Sequence, residues 1–182
     1  SLTSEFYYKA MDLIALRPRS EQEIETYLQS SFNKLKQKLS FSSYPEAVEE
    51  VFKRTSTLIN QITEKLRQGN YINDKEFSKW WVEQRISSRP RGKLALSSEL
   101  LKKGVAKSVI GDILSKEEVI TQETTVSMID AVLEKAWRAI AYRSYPKQKA
   151  RQVLARRLYA KGFTWDETKA KIDEFLSRQY NT

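Results

Sequence analysis

The chain has 182 residues, 40% hydrophobic and 30% charged, with 32 Lys plus Arg against 23 Asp plus Glu and a net charge of +9. It has no Cys and no His, which excludes disulfides, thiolate or imidazole metal sites, and catalysis by a thiol or an imidazole. No apolar run approaches the ~18 residues of a membrane helix and no signal-peptide profile opens the chain, while 5 Gly and 4 Pro favour helices over a turn-rich β fold. The expectation is an all-α, cytoplasmic protein with no metal or cofactor and no membrane attachment.

Phe6, Ala10, Leu13 and Ile14 lie at i, i+4, i+7 and i+8 and predict a first amphipathic helix ending at Leu16. Arg17-Pro18-Arg19-Ser20 interrupts it. Ser20 with Glu23 forms a capping box, so a second helix starts there with Ile24, Tyr27 and Leu28 inward. Phe32, Leu35 and Leu39 prolong that helix unless Ser30-Ser31 ends it. Residues 33–44, rich in Lys and Ser, read as an exposed insertion. Ser43-Tyr44-Pro45-Glu46 opens another helix, with Pro near its first turn. Val48, Val51, Phe52, Ile59, Ile62 and Leu66 keep helical spacing up to Gly69-Asn70.

Asp74 is expected to cap the next helix, which stacks Phe77, Trp80 and Trp81 on one face. Arg89-Pro90-Arg91-Gly92 then breaks the pattern. A following helix carries Leu96 and Leu100, with Leu94 and Leu101 alongside, and stops at Gly104. A third places Val105, Val109, Ile110, Ile113 and Leu114 on one stripe. Ser115 to Glu118 read as a further capping box, and residues 119–127 are helix or a joint. From Ile129 onward Val132, Leu133, Ala136, Trp137, Ile140 and Ala141 restore the stripe. Tyr145-Pro146 opens a helix with Ala150, Val153, Leu154 and Leu158 inward, ended by Gly162. Thr164 to Glu167 cap the last one, whose inner face is Thr168, Ile172, Phe175 and Leu176.

These segments repeat. Arg17-Pro18-Arg19-Ser20 stands to Leu28 as Arg89-Pro90-Arg91-Gly92 stands to Leu100, and Glu99 to Val105 matches Arg157 to Phe163, with Lys-Gly at the same place in both. The fold class expected is therefore all-α, three tandem three-helix, helix-turn-helix-like repeats stacked into an elongated, curved molecule. The repeats span 5–73, enlarged by an insertion near 33–45, then 74–116, then 117–179.

The charge is unevenly spread. Lys135 to Lys171 hold 11 Lys plus Arg against two acids, Asp166 and Glu167, leaving 21 basic and 21 acidic residues in the other 145. Lys79 to Lys107 hold eight basic residues against two acids. Localised positive charge points to an anionic partner, nucleic acid or an acidic protein face.

In order and spacing these motifs resemble the RecX family, regulators of the RecA recombinase. An acidic cap, an aromatic helix and a closing Arg (Asp74, Phe77, Trp81, Arg85) precede a Gly-Lys turn and a Glu-Leu helix ending in Lys-Gly (Gly92, Glu99, Leu100, Lys103, Gly104). Lys161-Gly162-Phe163 matches the family's last helix stop. The likeness runs from Tyr71 to Leu176, and less closely from Ala10 to Leu28. The first repeat departs from the pattern, with Phe32 where a Lys-Gly stop is expected. The resemblance implies a non-enzymatic protein of DNA repair, recombination and the SOS response; the chain is expected to be a monomer. Such proteins lie in the groove of the RecA–DNA filament and suppress its ATP hydrolysis, strand exchange and co-protease activity.

The candidate contacts to a RecA filament, or to single- or double-stranded DNA, are basic. Arg138, Lys149, Arg151, Arg156, Arg157 and Lys161 lie in the last repeat. Arg89, Arg91 and Lys93 sit in a turn beside a helix start, where a phosphate or carboxylate fits. Lys102, Lys103 and Lys107 flank a helix C-terminus, where cations are favourable in any case. Against contact stands the ordinary alternative of a solvated helix surface or local pairing with Glu. Trp81 and Trp137 fall on apolar stripes and read as core, Trp165 as exposed. The pairs Glu49-Glu50 and Asp166-Glu167 do not face each other on a helix, and no nucleophile accompanies them. A stand-alone nucleic-acid binder made of helical repeats, or a helical scaffold for another protein, are the competing readings.

Overall fold

The structure is a computed structural model and describes residues 1–39, 45–115 and 119–180. Among the described residues there are ten α-helices, one 3-10 turn and no strand. The chain divides into two compact units, Ser1–Ser78 with Lys103–Ala106, and Lys79–Lys102 with Lys107–Thr182.

The first unit holds α1 (Leu2–Leu16), α2 (Glu21–Leu39), α3 (Pro45–Lys53), α4 (Thr55–Gln68) and the start of α5 (Asp74–Ser88). Its core gathers Phe6 and Ala10 of α1, Ile24, Leu28 and Phe32 of α2, and Ile59, Ile62 and Leu66 of α4. Phe6 and Phe32 stack with ring centroids 4.0 Å apart and planes 10° apart, and each buried ring contributes roughly 2–3 kcal/mol by burial alone. That contact decides between the two expected ends of α2: burying Phe32 carries the helix past Ser30-Ser31 to Leu39. The stretch expected to run as one helix to Gly69 is instead two, α3 and α4, separated at Arg54, whose φ of −96° and ψ of 8° leave the α region. The supposed start of α3 at Ser43-Tyr44 lies outside the described residues.

The capping box at the head of α2 forms as expected. The Glu23 N–H donates to Ser20 Oγ at 3.2 Å and the Ser20 N–H to Glu23 Oε2 at 3.4 Å. Asp74 behaves differently from the sequence expectation. Asn73 caps α5, its Oδ1 accepting the N–H groups of Lys75 and Glu76 at 3.0 and 3.2 Å. The carboxylate of Asp74 reaches instead to α2, where Oδ1 accepts the free N–H of Glu21 at 2.9 Å. Burial raises the Asp74 pKa, although this hydrogen bond opposes the rise. One acid thus satisfies a donor on a helix 53 residues away.

The second unit holds the rest of α5, then α6 (Lys93–Lys102), α7 (Lys107–Ser115), α8 (Gln122–Arg138), a 3-10 turn (Ala141–Arg143), α9 (Lys147–Ala160) and α10 (Trp165–Tyr180). α8, α9 and α10 pack on one another in all three pairings. Most of the expected stripes are inside: Leu96 and Leu100, Ile110 and Ile113, Leu133 and Ala136, Leu154 and Leu158, Ile172 and Phe175 are buried, but the stripe expected to run through Ala141 stops short, since α8 ends at Arg138 and Ala141 is exposed in the 3-10 turn. Leu94 and Leu101 are exposed. α8 starts at Gln122, capped by Thr121, whose side chain accepts the Thr124 N–H at 3.0 Å. The capping box expected over 115–118 has its last three residues outside the described ones. α10 begins with the expected Thr164–Glu167 box, in which the Thr164 N–H donates to Glu167 Oε2 at 2.7 Å. Trp137 is half-buried, edge-on to Phe175 at 6.0 Å.

Candidate partner interface

The two Lys-Gly helix stops share one backbone conformation. Gly104 has φ +81° and Gly162 φ +85°, the left-handed region that costs side-chain-bearing residues about 1–2 kcal/mol. Each stop also receives the first turn of a distant helix. In the first unit Ser20 Oγ donates to the Lys103 carbonyl at 2.7 Å, and a Cβ on Gly104 would lie 2.3 Å from Gln22 Cβ. In the second unit the Gly92 N–H donates to the Lys161 carbonyl at 2.9 Å and the Leu94 N–H to the Gly162 carbonyl at 3.3 Å. A Cβ on Gly162 would lie 2.4 Å from the Ala95 nitrogen, and one on Gly92 2.2 Å from the Gly162 carbonyl oxygen. The glycines are absent side chains at a close backbone crossing.

In the second unit that crossing fixes the arginine turn. Glu99 of α6 accepts from the Trp81 indole N–H at 2.9 Å and from Arg85 Nε at 2.7 Å, and Arg91 Nε stands 3.3 Å from its other oxygen. The Arg85 guanidinium lies 4.4 Å from the Trp81 ring centre. Trp81 is therefore half-buried with its polar edge satisfied, rather than fully inside. Residues 86–91 are held in this way beside α8 and the end of α9.

Between these segments opens a cleft of about 1130 Å³. Its walls carry Arg89 and Arg91 from the turn, Lys135 from α8, Arg157 from α9 and Lys161 from the stop that follows. The more buried part of its lining, its floor, is aliphatic, with Met128 and Ala136 buried and Ile86, Pro90 and Val132 half-buried; Ala131 and Ala160 are exposed, and Ser87, Ser88, Thr124 and Ser127 add hydroxyls. Glu123 is the one acid lining it among the described residues. The cations crowd each other: burial and then the neighbouring Arg91, Lys135 and Arg89 hold the Lys161 ammonium below its usual pKa, against a weaker opposing pull from Glu99. Among the described residues Arg89, Lys135, Arg157 and Lys161 have no ion-pair partner. Such a cleft is short of negative charge, and an anionic ligand relieves it.

Of the basic residues singled out in the sequence, Arg89, Arg91, Arg157 and Lys161 come together here. Lys93, Lys102, Lys107, Arg138, Lys149 and Arg156 are exposed and do not line the cleft. Lys149 lies over the Tyr145 ring at 4.5 Å. Arg151 pairs with Asp173 at 2.6 Å and covers Trp165, which is exposed as expected. Lys103 belongs to the first unit, where its ammonium meets Glu23 at 2.6 Å. Lys135 was not among the sequence candidates. It stands one position from buried Ala136 on α8, and nothing in the sequence around it marks it apart from other surface cations.

Residues 73–114, which include the Trp81–Arg85–Glu99 cluster and the arginine turn, match the family model described as RecX, second three-helix domain. The regulatory protein RecX of Clostridium acetobutylicum is 28% identical over 120 residues, 66% of this chain and 55% of that protein. That of Streptococcus equi subsp. zooepidemicus is 26% identical over 171 residues, 94% of this chain and 55% of that protein. The chain is similar to the RecX family, over residues 73–114 to its second three-helix domain and more widely to its curated members. It spans about half the length of the curated RecX relatives it matches. The crystal structure of RecX from Lactobacillus salivarius superposes with a TM-score of 0.68 at 21% identity, covering 96% of each chain. A second crystal structure, of regulatory protein RecX, gives 0.64 at 22% identity, over 92% of this chain and 70% of that one. RecX is a family of regulatory proteins, and its all-helical fold is the one described above. Among the described residues no helix is long and apolar enough to cross a membrane.

Proposed function

We propose that this chain is a non-enzymatic, monomeric, cytoplasmic regulator that binds the RecA–DNA filament and restrains its ATP hydrolysis, strand exchange and co-protease activity. The observation that carries this reading is the cleft of the second unit, where five cations converge with a single acid among the described residues. A filament of acidic protein surface and nucleic-acid phosphates is the kind of partner that supplies the missing charge. The exposed cations Lys93, Lys102, Lys107, Arg138, Lys149 and Arg156 extend the contact outside the cleft, and Arg151 joins them where Asp173 releases it. Lys103 supports the contact indirectly by holding the first unit together. The organisation in three modules, 5–73, 74–116 and 117–179, is favoured by the repeated Lys-Gly crossing, which recurs with the same φ and the same hydrogen-bonded carbonyl.

The test is the single-stranded-DNA-dependent ATPase of the cognate recombinase with this protein added. Inhibition by the wild type, weakened several-fold in Lys135→Glu/Lys161→Glu, is the expected result. An unchanged ATPase rate at several-fold molar excess over filament subunits overturns the reading. The second reading, a stand-alone nucleic-acid binder, is favoured by the absence of any acid between Glu134 and Asp166. Tight DNA binding without recombinase, falling steeply with salt, would support it.

A further inference from the structure

The floor of the cleft says more about its occupant than the charge does. We propose that it seats an acidic, aliphatic segment of polypeptide, docked through carboxylates on the rim and branched side chains on the floor, and not a polynucleotide backbone. This rests on the reading of the cleft as a partner contact and assigns that contact to the protein component of the filament.

Two features favour polypeptide. Sites for single-stranded nucleic acid combine a positive groove with aromatic rings on which bases stack, and among the described residues no aromatic one lines this cleft. The nearest large apolar groups are instead Ile86, Met128 and Val132, with Ala131 and Ala160 leaving room between them. An amphipathic segment meets both surfaces at once, apolar side chains down and carboxylates outward, as in helix-in-groove recognition. The cations allow this occupant: Arg89, Arg91 and Arg157 offer planar forks that pair bidentately with carboxylate as they do with phosphate, and Lys135 and Lys161 add point charges. The second is size: at about 1130 Å³ the cleft stands at the upper end of the ~300–1,000 Å³ of small-ligand sites, with room for several side chains of a docked segment. Met128 adds a pliable contact that accommodates side chains of differing shape.

The test uses the full chain and three fluorescein-labelled probes read by anisotropy. One is a 12-residue helical peptide with Glu and Leu on opposite faces, the second its Gln-for-Glu counterpart, and the third a 12-nucleotide oligothymidylate. The acidic peptide is expected to bind at least tenfold more tightly than either of the others, and Lys135→Glu/Lys161→Glu to weaken it at least tenfold. Ala131→Arg is the discriminating variant. Ala131 is exposed in the lining of the cleft, so the substitution adds positive charge while filling the aliphatic seat. It is expected to weaken the acidic peptide at least fivefold, with thermal melting checking that the fold is kept. A cleft for phosphodiester would respond oppositely. Stronger oligonucleotide binding than peptide binding, or tightening of either probe by Ala131→Arg, overturns the proposal. So does peptide affinity indifferent to Lys135→Glu/Lys161→Glu. Wild-type inhibition of the recombinase, lost in that double variant while the peptide fails to bind the wild type, overturns the occupant and leaves the filament reading standing. Peptide binding with no effect on the recombinase supports the occupant and sinks the filament reading.

Discussion

Glu23 offers the sharpest check on the packing of the first unit. Its carboxylate receives both terminal nitrogens of Arg17, at 3.1 and 2.9 Å, and the ammonium of Lys103 at 2.6 Å, with its side chain 16% exposed. Burial alone would raise its pKa. The hydrogen bonds and charges of Arg17 and Lys103 outweigh that and hold it at about 2, against 4.5 unperturbed. Because the folded value lies below the unfolded one, the stabilisation is fully present above pH ~4.5 and is lost as pH falls through about 2. At 1.36 kcal/mol per pKa unit the shift corresponds to about 3 kcal/mol at neutral pH, and to about 1.5 kcal/mol at pH 3. Carboxyl carbon NMR on the intact protein reads the titration directly, and urea unfolding of wild type and Glu23→Gln at pH 7 and pH 3 reads its consequence. The gap between wild type and variant is expected to shrink by about half on acidification. A Glu23 midpoint near 4.5, or a gap that does not change with pH, would refute the ion-pair account of how the Lys103 stop is held to α2.

Gly162→Ala should destabilise the second unit by about 2–4 kcal/mol, from its φ of +85° and the 2.4 Å approach of the new Cβ to the Ala95 nitrogen. Gly111→Ala, in the middle of α7 with open space around it, should stabilise by about 1 kcal/mol, and urea unfolding compares the two. Glu99→Ala removes the acceptor for Trp81 and Arg85 and the partner of Arg91. It should cost about 2–4 kcal/mol and change tryptophan fluorescence, whereas Glu99→Gln keeps an acceptor and recovers part of both. Asp173→Asn frees Arg151 from a half-exposed pair. Stability should be little changed, while inhibition of the recombinase strengthens or holds; a weaker inhibitor would remove Arg151 from the contact surface.

The helices and their inner faces could be read from the chain because their signals are local. Apolar spacing within α6, α7, α9 and α10, and the capping boxes at Ser20–Glu23 and Thr164–Glu167, each span a few residues and formed where expected. The rest depends on partners far along the chain. Asp74 reads as a cap for the helix it begins, yet it satisfies Glu21, because Asn73 one residue earlier had already taken the local donors. Lys135 reads as one more surface cation, since nothing near it in sequence shows that residues 86–91 and 157–161 will close around it.

The glycines connect both kinds of information. Lys103-Gly104 and Lys161-Gly162 were legible as helix terminators, which accounts for their positive φ but not for their recurrence beside an arginine-bearing turn. The structure supplies the reason: the missing Cβ lets the start of another helix cross at backbone distance, and the carbonyl before the glycine accepts its hydrogen bond. The Arg89–Gly92 turn is therefore carried onto the end of α9 by the same contact that joins the helices. The basic cleft follows from the packing, and a substitution at Gly92 or Gly162 should dismantle the cleft without touching a single charge.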